Sequence, residues 1–229
     1  ASPERTVADR AALSSRESPD YEDGEDENVV TQVEDVLARA NHLTVRGGAG
    51  TGKTTLLKWI AVRSASRTFV DPLDDWNRTI PFFVSLRQFV DLELPSPGDF
   101  ARLCAPAISE EMPSNWVHTQ LRRGTAVVLI DGVDEIPRFQ RPKVQSWLGD
   151  LTQTFEHSKF IVTSRPSAIE EGWLETEGFY ETEVQPMGLP DIRAFVQHWH
   201  DAVKEELKFE EEKEDLEELA ANLKDILQR

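Results

Sequence analysis

The sequence predicts an α/β fold: a three-layer sandwich around a five-stranded parallel sheet, followed by part of a helical subdomain. Three observations predict it. Five short strand candidates occupy residues 42–46, 80–86, 126–130, 159–163 and 181–184, and the three middle ones are mostly apolar, as strands buried on both faces are. Segments of helical periodicity alternate with them. A glycine-rich turn over 47–52 joins the first run to the first strong helical pattern.

Each element has its own justification. Residues 1–28 are rich in Ser, Pro, Asp and Glu with few apolar side chains, which predicts a disordered acidic linker. Val29, Val33, Val36 and Leu37 have helical spacing and predict a short helix over 29–40. Leu43 and Val45 mark the first strand, and Leu56, Leu57 and Ile60 mark the helix after the glycine turn. Ile80-Pro81-Phe82-Phe83-Val84-Ser85-Leu86 is the second strand, with Pro81 near its start, where a missing N–H costs least. A loop with Pro95 and Pro97 follows.

Ser114 as N-cap and Gly124 as stop frame a helix over 115–123. Ala126-Val127-Val128-Leu129-Ile130 forms the central strand and ends in Asp131. Val144, Trp147, Leu148, Leu151 and Phe155 mark the next helix, and Phe160, Ile161 and Val162 the strand after it. From Leu189 the pattern is helical only: Ile192, Phe195, Val196 and Trp199, then Leu216, Leu219, Leu223 and Ile226. The expected organisation is a linker over 1–28, an α/β domain over 29–188 and the start of a helical subdomain over 189–229.

Composition narrows the function. The 229 residues carry a formal net charge of −17 and are 39% hydrophobic. Such an acidic chain is a poor partner for a phosphate backbone, so no direct nucleic-acid contact is expected. The acid is concentrated in 20–27 and 205–218, read as solvated or interaction segments. Cys104 is the single cysteine, which excludes an intrachain disulfide and points to a reducing, cytoplasmic setting. No apolar run approaches the ~20 residues that span a bilayer. A start at Ala1 and a stop at Arg229 within a helical pattern predict a piece of a longer protein.

The run Gly47-Gly48-Ala49-Gly50-Thr51-Gly52-Lys53-Thr54-Thr55 fits the phosphate-binding pattern G-x-x-x-x-G-K-S/T without a gap. Glycines let successive N–H groups point inward around a phosphate, and the following helix N-terminus adds partial positive charge. Lys53 is placed to bridge terminal phosphates, and the Thr54 hydroxyl to sit on Mg2+. A second motif, Asp131-Gly132-Val133-Asp134-Glu135, closes the central strand, where a carboxylate can hold the metal opposite Thr54. Many ATPases of this kind place a water-orienting acid directly after the metal acid; here that position is Gly132. Asp134 can take the role if the chain turns back, with capping of the turn as its structural alternative. Thr163-Ser164-Arg165-Pro166 closes another strand and puts Arg165 where it can sense γ-phosphate charge, or else pair with a nearby acid. His198, His200 and Asp201 are not read as a metal site, because residues two apart on a helix do not share a face.

Together these three motifs resemble those of a NACHT domain, a member of the STAND class of signal-transducing P-loop NTPases. The stretches Ile80-Pro81-Phe82-Phe83-Val84-Ser85-Leu86-Arg87 and Met187-Gly188-Leu189 are also similar to that family. The resemblance spans about 43–199, and its flavour is that of bacterial, anti-phage NACHT proteins. It implies the P-loop NTPase sandwich and ATP (or ADP) with Mg2+ as cofactors. It further implies residues 47–55 as the Walker A loop, Thr54 and Asp131 (Walker B) on the metal, and Lys53, Asp134 and Arg165 as the catalytic set.

The function implied is an ATP/ADP-controlled oligomerisation switch in innate immune or phage defence. It self-associates in the full-length protein, with effector and sensor domains outside this chain. Two competitors stand beside it. An AAA-like ATPase working on protein or nucleic acid needs an efficient water-positioning acid, which Gly132 argues against. A P-loop small-molecule kinase needs a basic lid, whereas 201–218 is acidic.

Overall fold

The computed structural model describes residues 12–15 and 29–206. In chain order the elements are β1 (Ala12–Ser15), β2 (Val29–Gln32), α1 (Val33–Arg39), β3 (His42–Arg46) and α2 (Lys53–Ser66). β4 (Ile80–Ser85), α3 (Phe100–Cys104), α4 (Pro106–Ser109), α5 (Trp116–Arg122) and β5 (Ala126–Asp131) follow. The described chain closes with α6 (Arg141–Thr154), β6 (Lys159–Ser164), β7 (Tyr180–Val184) and α7 (Leu189–Glu206).

The strands form one sheet in the order β2-β1-β7-β3-β6-β5-β4. The five strands from β7 to β4 are mutually parallel, as the apolar runs require. β1 pairs antiparallel with both β7 and β2, extending the sheet to seven strands.

β5 explains why the sheet has two covered faces. All of Ala126, Val127, Val128, Leu129 and Ile130 are buried. Val127 and Leu129 join a cluster with Leu43, Val45, Ile161 and the buried face of α2, Leu56, Leu57 and Ile60. Their alternates, Val128 and Ile130, join Phe82, Val84, Phe160, Val162 and the α6 residues Val144 and Leu148 on the opposite side. The two-residue side-chain period of a strand thus feeds two separate apolar layers. Pro81 is tolerated in β4 because β4 is an edge strand, paired among the described residues only with β5.

Three expectations are corrected. Residues 29–32 form β2 rather than the first turn of a helix, and α1 starts at Val33. The β-branched run Val29-Val30-Thr31 favours the extended state once β1 offers an edge to pair with. β1 itself lies within the stretch read as disordered, and the rest of 1–28 lies outside the described residues. α5 begins at Trp116, and its cap is not Ser114 but Asn115 in left-handed backbone (φ 62°) with no side-chain capping bond. The helical pattern over 216–226 lies outside the described residues.

The described residues separate into two compact units, one over 12–15 and 29–185 and the other over 186–206. Within the second, α7 is opened by Asp191, which accepts the Gly188 N–H at 3.1 Å, and it leaves Leu189, Phe195 and Trp199 exposed.

His42, at the start of β3, lies 5.5 Å from the ring centres of both Phe160 and Phe179. Burial pushes its imidazole below 6.5, and nearby Lys159 adds to that, while bonding to the backbone at Ser158 and Gly178 opposes it. The unfolded chain therefore binds the proton first. His42 adds stability above pH 6.5 that is lost as pH falls toward the folded value, and not recovered below it. Urea denaturation of wild type and His42→Gln should show their stability difference shrinking from pH 7.5 to 5.5. A difference independent of pH contradicts the burial account.

Candidate functional site

Strand register gathers the site. Arg46 pairs with Ser164, and Asp131 with Ser85, so the segments leaving β3, β5 and β6 emerge at one carboxyl edge of the sheet. From β3 the chain runs to the far edge at β4, whereas from β6 it crosses to β7 on the other side of β3. Open α/β sheets bind ligands outside such a reversal of strand order.

Glycine shapes the loop after β3. The Gly47 N–H donates to the Ser164 carbonyl at 3.2 Å, which ties the loop's first residue to the end of β6. A Cβ on Gly47 would lie 2.6 Å from Thr51 Oγ1, an atom already donating to the Gly48 carbonyl at 3.0 Å. Gly50 and Gly52 have φ of 76° and 90°, values that side chains with a Cβ rarely adopt. Gly52 is the N-cap of α2, so the loop delivers the chain to a helix N-terminus, with its partial positive charge. Gly48, Ala49, Gly50, Gly52, Thr54 and Thr55 are all exposed, whereas Lys53 is half-buried.

The Lys53 amine donates to the carbonyls of Gly47 and Gly48, each at 2.7 Å. Burial holds its pKa below the usual lysine value; Asp134 and Asp131 oppose that shift, and Arg165 reinforces it. One lysine thus feels all three charged side chains that the sequence singled out. They form a single cluster.

Asp131, at the end of β5, is bonded through both oxygens. Thr54 Oγ1 donates to Oδ2 at 2.8 Å, and Thr163 Oγ1 donates to Oδ1 at 2.6 Å. Gly132 follows in left-handed backbone (φ 86°, ψ 55°), and the Glu135 N–H closes a tight turn onto its carbonyl at 3.0 Å. That turn carries Asp134 back toward β6, where Arg165 Nε meets Asp134 Oδ2 at 2.8 Å. Glu135 instead faces Arg87 at 3.8 Å, an exposed pair of small energetic weight.

These residues fit a magnesium nucleotide. The donors that converge are hard oxygens, the Thr54 hydroxyl and the Asp131 carboxylate. Among the described residues no group of three or more His, Cys, Asp or Glu is placed to cage a metal ion. Mg2+ suits such a sparse set, because it usually takes one or two protein oxygens and fills the rest with water and phosphate.

Two contributors were not legible as site residues. Thr163 stood in a quoted motif, but nothing local indicated that its hydroxyl reaches Asp131. Arg46, half-buried at the end of β3, bonds Glu181 of β7 at 2.6 Å, and the second oxygen of Glu181 accepts the Gly172 N–H at 3.1 Å. This buttress fixes the strand end from which the loop departs. A charge at the end of an apolar strand was its only signal.

Residues 41–203 match a family profile described as NACHT domain. No match is found among curated proteins. Among solved structures, domain III of the Thermotoga maritima replication initiation protein DnaA is 18% identical with a TM-score of 0.41, over 72% of this chain and 63% of that one. Drosophila ORC bound to DNA is 12% identical with a TM-score of 0.48, over 79% and 47%. The Thermotoga maritima RuvB Holliday junction branch migration motor is 16% identical with a TM-score of 0.39, over 71% and 43%. The chain therefore spans less than two thirds of the length of each, and likeness at this identity concerns the fold alone.

The turn after Asp131 supports a stability test. Gly132→Ala forces a Cβ into left-handed backbone and to 3.3 Å from Glu135 Cγ, which should cost about 1–2 kcal/mol. Gly98→Ala meets only ordinary contacts, at 3.6 Å and beyond, and should stay within about 0.5 kcal/mol of wild type. Equal urea midpoints for the two variants would show that Gly132 carries no conformational demand.

Proposed function

The chain belongs to the NACHT domain family, and on that premise we propose that it binds ATP or ADP with Mg2+ between the 47–55 loop and Asp131, as the nucleotide-binding module of a STAND-class signalling ATPase. One observation carries the reading. The Thr54 hydroxyl and the Asp131 carboxylate, 77 residues apart in sequence, lie 2.8 Å from each other, and Lys53 directly precedes Thr54 in the chain.

In this reading the loop N–H groups and the α2 N-terminus hold phosphate oxygens, and Lys53 exchanges the carbonyls of Gly47 and Gly48 for the terminal phosphates. Thr54 and Asp131 would hold the metal, which would supply positive charge against the phosphate oxygens. Asp134 orients water and Arg165 senses the terminal phosphate. Their mutual bond makes the two roles interdependent. Phosphate beside Arg165 competes for the guanidinium, and the Asp134 carboxylate is then free to accept a proton from water.

Hydrolysis is slow in this account. An acid directly after Asp131 would have to occupy left-handed backbone, so the work falls to the displaced and ion-paired Asp134. That supports a switch over an AAA-like motor. Nucleotide biases only conformations that contact it differently. Residues 29–188 form the nucleotide-binding α/β domain in this reading, and 189–229 the start of the helical subdomain. The wider role, an oligomerisation switch in cytoplasmic innate immune or phage defence, draws on the likeness of the motifs.

Titration calorimetry tests the site. Wild-type chain should bind ATP with Mg2+, and Lys53→Ala should weaken that binding by about 10- to 100-fold, the worth of a bond from a charged donor. Unchanged affinity in Lys53→Ala refutes the assignment.

A further inference from the structure

Thr163 is a fully buried polar group that touches the site and has no part in the function proposed above. It sits in β6 with no exposed surface. Its hydroxyl has a single proton, which it gives to Asp131 Oδ1 at 2.6 Å, and its oxygen accepts the Gly132 N–H at 3.0 Å. A carboxylate only accepts, and an amide N–H only donates, so the direction of both bonds is fixed by chemistry.

The consequence is geometric. Asp131 is the last residue of β5, and its side chain would otherwise rotate freely about two torsions. Thr163 occupies one oxygen from the strand side and Thr54 approaches the other from the loop side, leaving one orientation that satisfies both. The Gly132 bond clamps the peptide just beyond Asp131, at the point where the backbone turns left-handed. One hydroxyl from the neighbouring strand therefore sets both the carboxylate and the backbone that carries it.

We propose that Thr163 is a positioning residue for the metal: it orients the Asp131 carboxylate toward the ion that accompanies the nucleotide, and touches neither. This rests on the nucleotide reading of the site. Partners that orient a metal ligand from behind typically contribute 10- to 100-fold in metal affinity. The effect should appear only in the part of nucleotide binding that depends on Mg2+.

The experiment measures ATP affinity of the 229-residue chain by calorimetry twice, with Mg2+ and with EDTA. The ratio of the two affinities is compared among wild type, Thr163→Val and Thr163→Ser. Thr163→Val keeps the shape and deletes the hydroxyl; it should lower the Mg2+ enhancement about tenfold or more and leave the EDTA affinity within about twofold. Thr163→Ser restores the hydroxyl and should restore the enhancement, even where losing the methyl lowers the melting temperature. If Thr163→Val does not melt cooperatively, Thr163→Cys, of similar size with a weak donor, takes its place and should show a smaller Mg2+ enhancement than both wild type and Thr163→Ser. A Thr163→Val chain weakened equally in both conditions has only a structural role for Thr163, and an unchanged enhancement removes the role entirely; either result overturns the proposal. A wild-type chain that takes up ATP in neither condition overturns the nucleotide reading itself, and this inference with it.

Discussion

Asp131 is the point on which the site depends. A carboxylate at the end of a buried strand, held through one oxygen by the loop after β3 and through the other by β6, fastens three separate chain segments together. The sheet register makes this possible. β5 and β6 are neighbours, and β3 is the next strand over, so their carboxyl ends fall within side-chain reach of one another. Burial of the apolar layers on both faces then resists any sliding of one strand past another, because a slip of one residue would turn Val127 and Leu129 out of their layer.

Around that anchor the site is built of opposed charges. Lys53 and Arg165 face Asp131 and Asp134, and each of the four has its protein partners. Such a cluster is balanced without an added anion, which explains how a polar site persists beside a dry core. It also means that phosphate must compete with internal bonds. Arg165, more than half exposed, is the member with the least to lose; Asp134 is only 14% exposed and depends on it more. This asymmetry makes Arg165 the natural first responder in the switch reading, with Asp134 changing as a consequence.

The parallel sheet was legible chiefly from β5, which is buried on both faces and reads as an uninterrupted apolar run, and from the apolar cores of β4 and β6. The turn between β3 and α2 was legible because positive φ at Gly50 and Gly52 favours glycine there. Gly132 shows the limit of a motif: its presence told us that an expected acid was missing, but only its φ of 86° gave the reason. β2 was misread because Val29, Val33 and Val36 fit a helical period, while the β-branched residues between them answer to a partner strand that local sequence does not name. Thr163 and the Arg46–Glu181 pair were invisible for a related reason. Each works across a sequence separation of more than thirty residues, and only the strand order brings the partners together.

The central claim is that Thr54 and Asp131 act on one shared ion. A double-mutant cycle on ATP binding in Mg2+, with Thr54→Ala, Asp131→Asn and the double variant, tests it directly. Groups acting on a common ligand should be coupled by roughly 0.5–3 kcal/mol. Losses that add to within about 0.3 kcal/mol would mean that the two residues serve independent sites, and the account would be wrong.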